Sequence, residues 1–485
     1  MPQRTIPTSD PAPPEVSEAD EIERGLAAAC DLFREIHHGW PDRPLTPEGT
    51  WYEEEPLADT LGEEGVGIAG AIEDFRRWVL PGALGSPDPR YMGLVNSSPL
   101  PTGPLADLLV SALDNNCGAE HQGPSGAAAE REILRLFGRL FLGRDDASGL
   151  LLPGGSYANL HGILLARARA FPEWESGGPQ AVAAEPVLYV SDATHFSGAR
   201  AGVVAGLGRE GVRSVPTRGR GTMCPDALRA RIREDRNAGR RPFAVIATAG
   251  TTGTGALDPL DQIAELAGEE DLWLHVDACY GGAARLIPEL ASSFRGLERA
   301  DSVAVDPHKW FFLPLACSLV ITPGAPRHAN PFLIDNSYIP EGRELYPYQR
   351  GIATSRRGMA LTLWTTLRAH GLATIRNAVA ENIRLTRRLE RRLARAGFEV
   401  LPDGELSVAC ARWVPEGMDA AEADALQGRI AEAVMEADQG WFATVRHDGR
   451  TWMRLNILNL ETTEAHVDSV ADAMEAAALA CCPVR

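Results

Sequence analysis

Long apolar runs are the first thing this sequence lacks. No stretch approaches the ~20 residues that a membrane-spanning helix needs. The opening residues 1–14 hold no apolar segment of the signal-peptide kind, so a soluble, cytoplasmic chain is expected. Cysteine is sparse: eight in 485 residues, scattered, with no CxxC spacing. That argues against a disulfide scaffold, and it leads us to expect free thiols and no bound metal. Basic charge is in deficit. Lys plus Arg number 47 against 66 Asp plus Glu, a formal net charge of −19. A nucleic-acid or anionic-membrane partner would favour the opposite balance, so neither is expected. Internal repeats and low-complexity tracts are missing as well.

What is present reads as globular protein, with 44% hydrophobic and 23% charged residues. The length exceeds one ordinary core and predicts two or three domains. We place an N-terminal helical segment at 1–98, its Pro-rich first ~20 residues mobile, a large domain at 99–368 and a small C-terminal α+β domain at 369–485. Residues 105–113 and 127–142 show helical periodicity, the second with Ile133, Leu136, Phe137 and Leu140 on one side. From residue 149 short apolar runs alternate with helical stretches, at 150–152, 187–190, 212–215, 243–247, 272–276, 302–305 and 318–321. Runs apolar on both faces predict an α/β fold with a mostly parallel seven-stranded sheet covered by helices. Near the C-terminus, Ile383, Leu389 and Leu393 mark the buried side of a helix. Its other side carries Arg384, Arg387, Arg388, Arg391 and Arg392, read as a solvated face. A strand is expected at 452–457.

In such sheets ligands bind at the carboxyl ends of strands, and polar residues of interest follow these runs. Pro153-Gly-Gly-Ser156 opens a helix, where free N–H groups suit an anion, although Gly-Gly-Ser is also an ordinary turn. His195 follows the run at 187–190; a lone histidine there is more often structural. The turn Ala249-Gly-Thr-Thr252 follows the run at 243–247. Asp277 ends the run at 272–276, either as a helix N-cap or as a carboxylate for a cationic ring nitrogen. Lys309, in Asp306-Pro-His-Lys309, sits among apolar neighbours, and burial there should lower its pKa. In combination, a phosphate loop, a histidine, an aspartate and an amine are what pyridoxal 5'-phosphate (PLP) requires: donors for its phosphate, a stacking partner, a carboxylate for its pyridine nitrogen and an amine for its aldehyde.

These segments resemble the group II pyridoxal-dependent decarboxylases, the family of aromatic-L-amino-acid, histidine, glutamate and diaminobutyrate decarboxylases. The resemblance runs from about residue 89 to 463. It is carried by Leu-Pro-Gly-Gly-Ser-Tyr-Ala-Asn-Leu160, Ser-Asp-Ala-Thr-His195, Thr-Ala-Gly-Thr-Thr-Gly-Thr-Gly255, Trp-Leu-His-Val-Asp-Ala-Cys-Tyr-Gly281, Asp-Pro-His-Lys-Trp310 and Ser-Arg-Arg-Gly-Met-Ala-Leu-Thr-Leu-Trp364. It implies the PLP-dependent transferase fold type I and release of CO2 from an L-amino acid, aromatic by first preference. Lys309 would carry the cofactor as a Schiff base, Asp277 would pair with its pyridine nitrogen and His195 would stack on its ring. Gly155, Ser156 and His308 would line the phosphate site, and Thr252 would lie beside the cofactor. A homodimer is implied, with active sites at the subunit interface and a loop tyrosine, Tyr346 or Tyr348, as proton donor. Asp306 stands where aromatic decarboxylases often carry a phosphate-binding Asn, so it is expected to accept hydrogen bonds instead. Tyr157, Leu315-Ala-Cys317 and the pocket stretch 93–98 also depart from the aromatic enzymes. An aliphatic, basic or acidic substrate, or oxygen-using aldehyde synthesis on the same scaffold, is the alternative.

Overall fold

The computed structural model describes residues 18–38, 40, 43–47, 57–58, 60–96, 98–324, 330–333 and 345–482. Residues 1–17 of the stretch expected to be mobile lie outside these, as does Ser97 of the pocket stretch. Residues 18–20 already open a helix, Glu18–His38, where acidic residues in the first turn favour helix formation.

The chain divides into two compact units, Met1–Pro87 and Asp88–Arg485. In the first, helix Glu18–His38 meets helix Gly67–Asp74 at a point where Gly25 is required: a Cβ there would lie 2.3 Å from Ile68. Leu32, Trp40 and Leu80 form its small core.

The second unit is built on a seven-stranded sheet. Its strands are β1 (Ser148–Leu152), β2 (Pro186–Ser191) and β3 (Val212–Val215). After a small hairpin of β4 (Thr217–Arg218) and β5 (Thr222–Met223) come β6 (Arg241–Thr248), β7 (Trp273–Asp277), β8 (Ser302–Val305) and β9 (Ser318–Thr322). Their spatial order is β1-β9-β8-β7-β6-β2-β3. Only β9 runs antiparallel to its neighbours; the pairs from β8 across to β3 are parallel. The central strands are buried on both faces, which is why each appears in the sequence as an unbroken apolar run. Helices Pro124–Leu142, Gly155–Ala170 and Leu260–Glu269 are among those that cover it.

A second sheet follows, with β10 (Glu399–Val400), β11 (Val408–Arg412), β12 (Ala443–His447) and β13 (Arg450–Asn456) in the order β10-β11-β13-β12, antiparallel throughout. Its core joins Leu389, Met453, Leu455, Val467 and Met474. The arginines of helix Met359–Arg395 do not simply face solvent. Arg384, Arg388 and Arg392 reach helix Glu464–Cys481, where they meet Glu464, Asp468, Asp472 and Glu475 at 2.6–2.9 Å. The four-residue spacing on both helices lines these charges up as a ladder. Among the described residues, no helix is long and apolar enough to cross a membrane.

Candidate active site at the carboxyl edge of the sheet

Five parallel strands deliver the predicted residues to one edge. Beyond β1, Gly154 takes φ +129°, a conformation that side chains other than hydrogen rarely adopt. It turns the chain into helix Gly155–Ala170, whose first N–H groups have no helical partner. A Cβ on Gly155 would meet Asp306 Oδ2 at 2.6 Å and Cys279 Sγ at 2.7 Å, so the helix start lies directly against the loops after β7 and β8. Ser156 is exposed at this helix start.

Beyond β8, Lys309 Nζ pairs with Asp306 Oδ2 at 2.9 Å. Asp306 is nearly inaccessible, with a side chain 1% exposed against 21% for Lys309. It also accepts from Ser318 Oγ at 2.5 Å, and His308 Nε2 stands 3.7 Å away. The acid thus accepts hydrogen bonds, in line with the departure noted at this position. The Lys309 pKa is raised, against the lowering expected from its apolar neighbours. Burial is the largest influence and does push it down, but the carboxylate of Asp306, together with Cys279 and Asp277, outweighs burial and raises it. In the free protein Lys309 is an ammonium. His308 Nδ1 lies 2.7 Å from the Cys317 carbonyl, and burial lowers its pKa.

Asp277 closes β7 and is buried. Its Oδ2 accepts from Asn159 Nδ2 at 2.9 Å and its Oδ1 from the Cys279 N–H at 3.1 Å. Burial raises its pKa, but Lys309 and these donors more than offset that, so it stays a carboxylate. His195 follows β2 and caps helix Phe196–Gly202. Its Nδ1 lies 2.7 Å from Ser197 Oγ, and burial lowers its pKa despite the opposing pull of Asp277 and Asp306. Asn159 Nδ2 also donates to Ser197 Oγ at 3.0 Å, so one amide joins Asp277 to the histidine.

Thr252, in the turn after β6, offers its carbonyl to Arg454 Nε at 2.7 Å. Arg454 is buried on β13, donates also to the Gly93 carbonyl and leaves Nη2 without a partner among the described residues. Tyr346 and Tyr348 are placed against the segment 118–121. Tyr346 lies 5.7 Å from the His121 ring, and the Tyr348 N–H donates to the Gly118 carbonyl at 3.1 Å.

The sequence reading missed Asn159 and Arg454 as functional candidates. Both meet their partners across 118 and 202 residues of chain, and no local pattern marks such a meeting. It also missed a signal that was legible. Lys309 is the only lysine in the chain, so the other 46 of the 47 Lys plus Arg residues are arginines.

With the geometry in place, comparison with known proteins gives it a family. Residues 54–413 match the pyridoxal-dependent decarboxylase conserved domain, well over half the chain. The chain belongs to that family and is a PLP-dependent amino-acid decarboxylase. It is 29% identical over 415 residues to an aromatic-L-amino-acid decarboxylase of Bacillus atrophaeus, covering 84% of this chain and 85% of that one. It is equally 29% identical over 422 residues to an L-2,4-diaminobutyrate decarboxylase of Rhizobium meliloti, covering 86% and 83%. In fold it superposes on Oryza sativa TDC, solved with PLP and tryptamine, with a TM-score of 0.89 at 23% identity, covering 97% of this chain and 99% of that one. Mouse CSAD gives 0.88 at 24%, covering 95% and 99%. The site fits the cofactor on charge. One ammonium faces two buried carboxylates, with neutral histidines beside them, so a second buried cation is wanted. A protonated pyridine is such a cation.

Proposed function

We propose that this enzyme removes the α-carboxylate of an aromatic L-amino acid and releases the amine and CO2. The observation that carries the reading is the Lys309 amine paired with Asp306 at the carboxyl edge of the sheet, where Asp277 also acts on its charge. When bound, PLP supplies a conjugated cationic ring that takes up the electron pair left as the Cα–carboxylate bond breaks. Lys309 would hold it covalently, its amine first leaving Asp306 and giving up a proton. Asp277 would keep the proton on the pyridine nitrogen. His195 would hold the ring and orient the substrate. Gly155, Ser156 and His308 would hold the phosphate, with Thr252 helping to hold the ring.

Arg454, whose Nη2 has no partner among the described residues, supplies a buried cation for the substrate's own carboxylate. The aromatic relative at 29% identity supports the aromatic choice, although the diaminobutyrate relative matches as closely. Tyr346 or Tyr348 returns the proton to carbon. A homodimer is supported by the outer face of helix Thr102–Leu113, where Leu105, Leu108, Leu109 and Leu113 are about half exposed at helical spacing. Eight unpaired cysteines suit a reducing cytoplasm. The test is a screen of the proteinogenic amino acids for CO2 release with PLP present, with amine measured against aldehyde, ammonia and peroxide. Turnover highest on Trp, Tyr, Phe or the hydroxylated aromatics with amine as product is expected. Preference for a diamino or acidic substrate, or aldehyde as the main product, overturns the finer reading.

A further inference from the structure

Behind the Asp277 carboxylate lies a chain of buried polar groups that the reaction chemistry does not itself call for. We propose that Asn159 and His275 are positioning residues: one amide, oriented from behind by a neutral histidine, aims Asp277 and fixes the tautomer of His195. The proposal rests on the reading of Asp277 and His195 as the groups that face the cofactor.

The direction of every bond in the chain follows from its two ends. Trp273 Nε1 can only donate, and it gives its hydrogen to Ser302 Oγ at 2.8 Å. Asp277, as a carboxylate, can only accept, so Asn159 must turn its NH2 group toward it. Asn159 Oδ1 then faces His275 Nε2 at 2.9 Å, and since Oδ1 only accepts, Nε2 carries the hydrogen. Burial pushes the His275 pKa down to about 4, so the ring is neutral and Nδ1 is bare. It accepts from Ser302 Oγ at 2.7 Å, the hydroxyl whose lone pair already holds the Trp273 hydrogen. The second hydrogen of the Asn159 amide goes to Ser197 Oγ, which passes its own to His195 Nδ1; the Ser197 N–H also points at that nitrogen, at 3.3 Å. His195 Nδ1 is therefore an acceptor, and its hydrogen sits on Nε2.

Two further features mark this as a built arrangement. Asn159, His275 and Ser302 are each at most 1% exposed, where apolar side chains would fill the space with no polar atoms to satisfy. The helix bearing Asn159 comes so close that residue 162 must be glycine. A Cβ there would lie 2.5 Å from His275 Nδ1 and 3.0 Å from Ser302 Oγ.

The test compares His275→Leu, which removes the donor to Asn159, with His275→Gln, whose amide can restore it. Ser302→Ala and Ser197→Ala each remove one link. The readouts are the PLP dissociation constant, kcat at saturating PLP, the melting curve of the PLP-free protein and 15N NMR of the histidine rings without PLP. His275→Leu is expected to weaken PLP binding by about tenfold to a hundredfold, the scale seen when outer-shell partners are lost elsewhere, with His275→Gln recovering most of it. Ser197→Ala should leave PLP affinity near wild type, lower kcat about tenfold and mix the His195 tautomers. Wild-type PLP affinity and an unmixed His195 Nε2–H signal in His275→Leu overturn the proposal, as does a His275→Gln variant damaged as much as the leucine one. If His275→Leu does not fold, Ser302→Ala carries the test, and unchanged PLP affinity there overturns it. A wild-type chain that neither binds PLP nor releases CO2 from any amino acid sinks the functional reading instead. One that does both, with these variants its equals, sinks only the relay.

Discussion

The two edges of the main sheet handle charge in opposite ways. At the amino edge, Arg169, Arg236, Arg240 and Arg241 line a cavity of about 380 Å3 with Glu270 and Asp271. By cation count this is the richer edge. Yet its charges cancel one another: Arg169 pairs with Asp271 and Asp301 at 3.1 Å, Arg236 with Glu270 at 3.1 Å, and Arg240 with Glu185 and Asp235. Arg169 and Arg241 also lie over the rings of Trp273 and Phe171. Most of these groups are substantially exposed. At the carboxyl edge the single lysine, Lys309, meets the buried carboxylate of Asp306 and feels that of Asp277. A cavity lined by many neutralised charges is structural surface, whereas a few buried charges left out of balance define a site.

The sharpest way to break this contrast is to remove the amine. Lys309→Ala should abolish measurable CO2 release at saturating PLP, a loss of at least about a thousandfold in kcat. Turnover at the wild-type rate would move the site elsewhere. Asp277→Asn should come next, with kcat down on the order of 10² to 10³ while some PLP remains bound, read by steady-state kinetics and cofactor absorbance. Asp306→Asn leaves the Lys309 ammonium buried without its partner, and the PLP-free protein should lose about 3 kcal/mol or more in denaturant titration.

The same pair sets a pH dependence. The folded-state pKa of Lys309 is raised, so its contribution to stability is complete below the ordinary lysine value. It is lost as pH climbs through the raised one. The wild-type PLP-free protein should therefore lose stability at strongly alkaline pH, and Asp306→Asn should flatten that loss. The smallest effect belongs to the other edge. Arg169→Gln should change stability by less than about 1 kcal/mol and leave kcat alone. A loss there as large as that of Asp306→Asn would erase the distinction between the edges.

The central strands were legible because both faces of each are covered, so burial writes itself into consecutive residues. Asp277, His195 and Lys309 were legible because each follows such a run. Asn159, His275 and Arg454 were not, since their meaning lies in what they face across more than a hundred residues of chain. The ionisation of Lys309 was misjudged for a related reason. Apolar neighbours in sequence suggested simple desolvation, while Asp306, three residues back, folds round to hold the charge at 2.9 Å. The arginine run at 384–392 looked solvated because its acidic partners lie some eighty residues on.

A chain with a single lysine turns general reagents into site-specific ones. Apart from the α-amino group at the chain's start, every amine-directed acylating or arylating probe has one target, and that target is the residue paired with Asp306. The rate of labelling of the peptide that bears Lys309, followed against pH, is then a direct titration of one ε-amine in the intact protein, with no mutation. Borohydride treatment of the PLP-loaded enzyme likewise has one side-chain amine at which to fix the cofactor, so the mass of a single peptide reports occupancy.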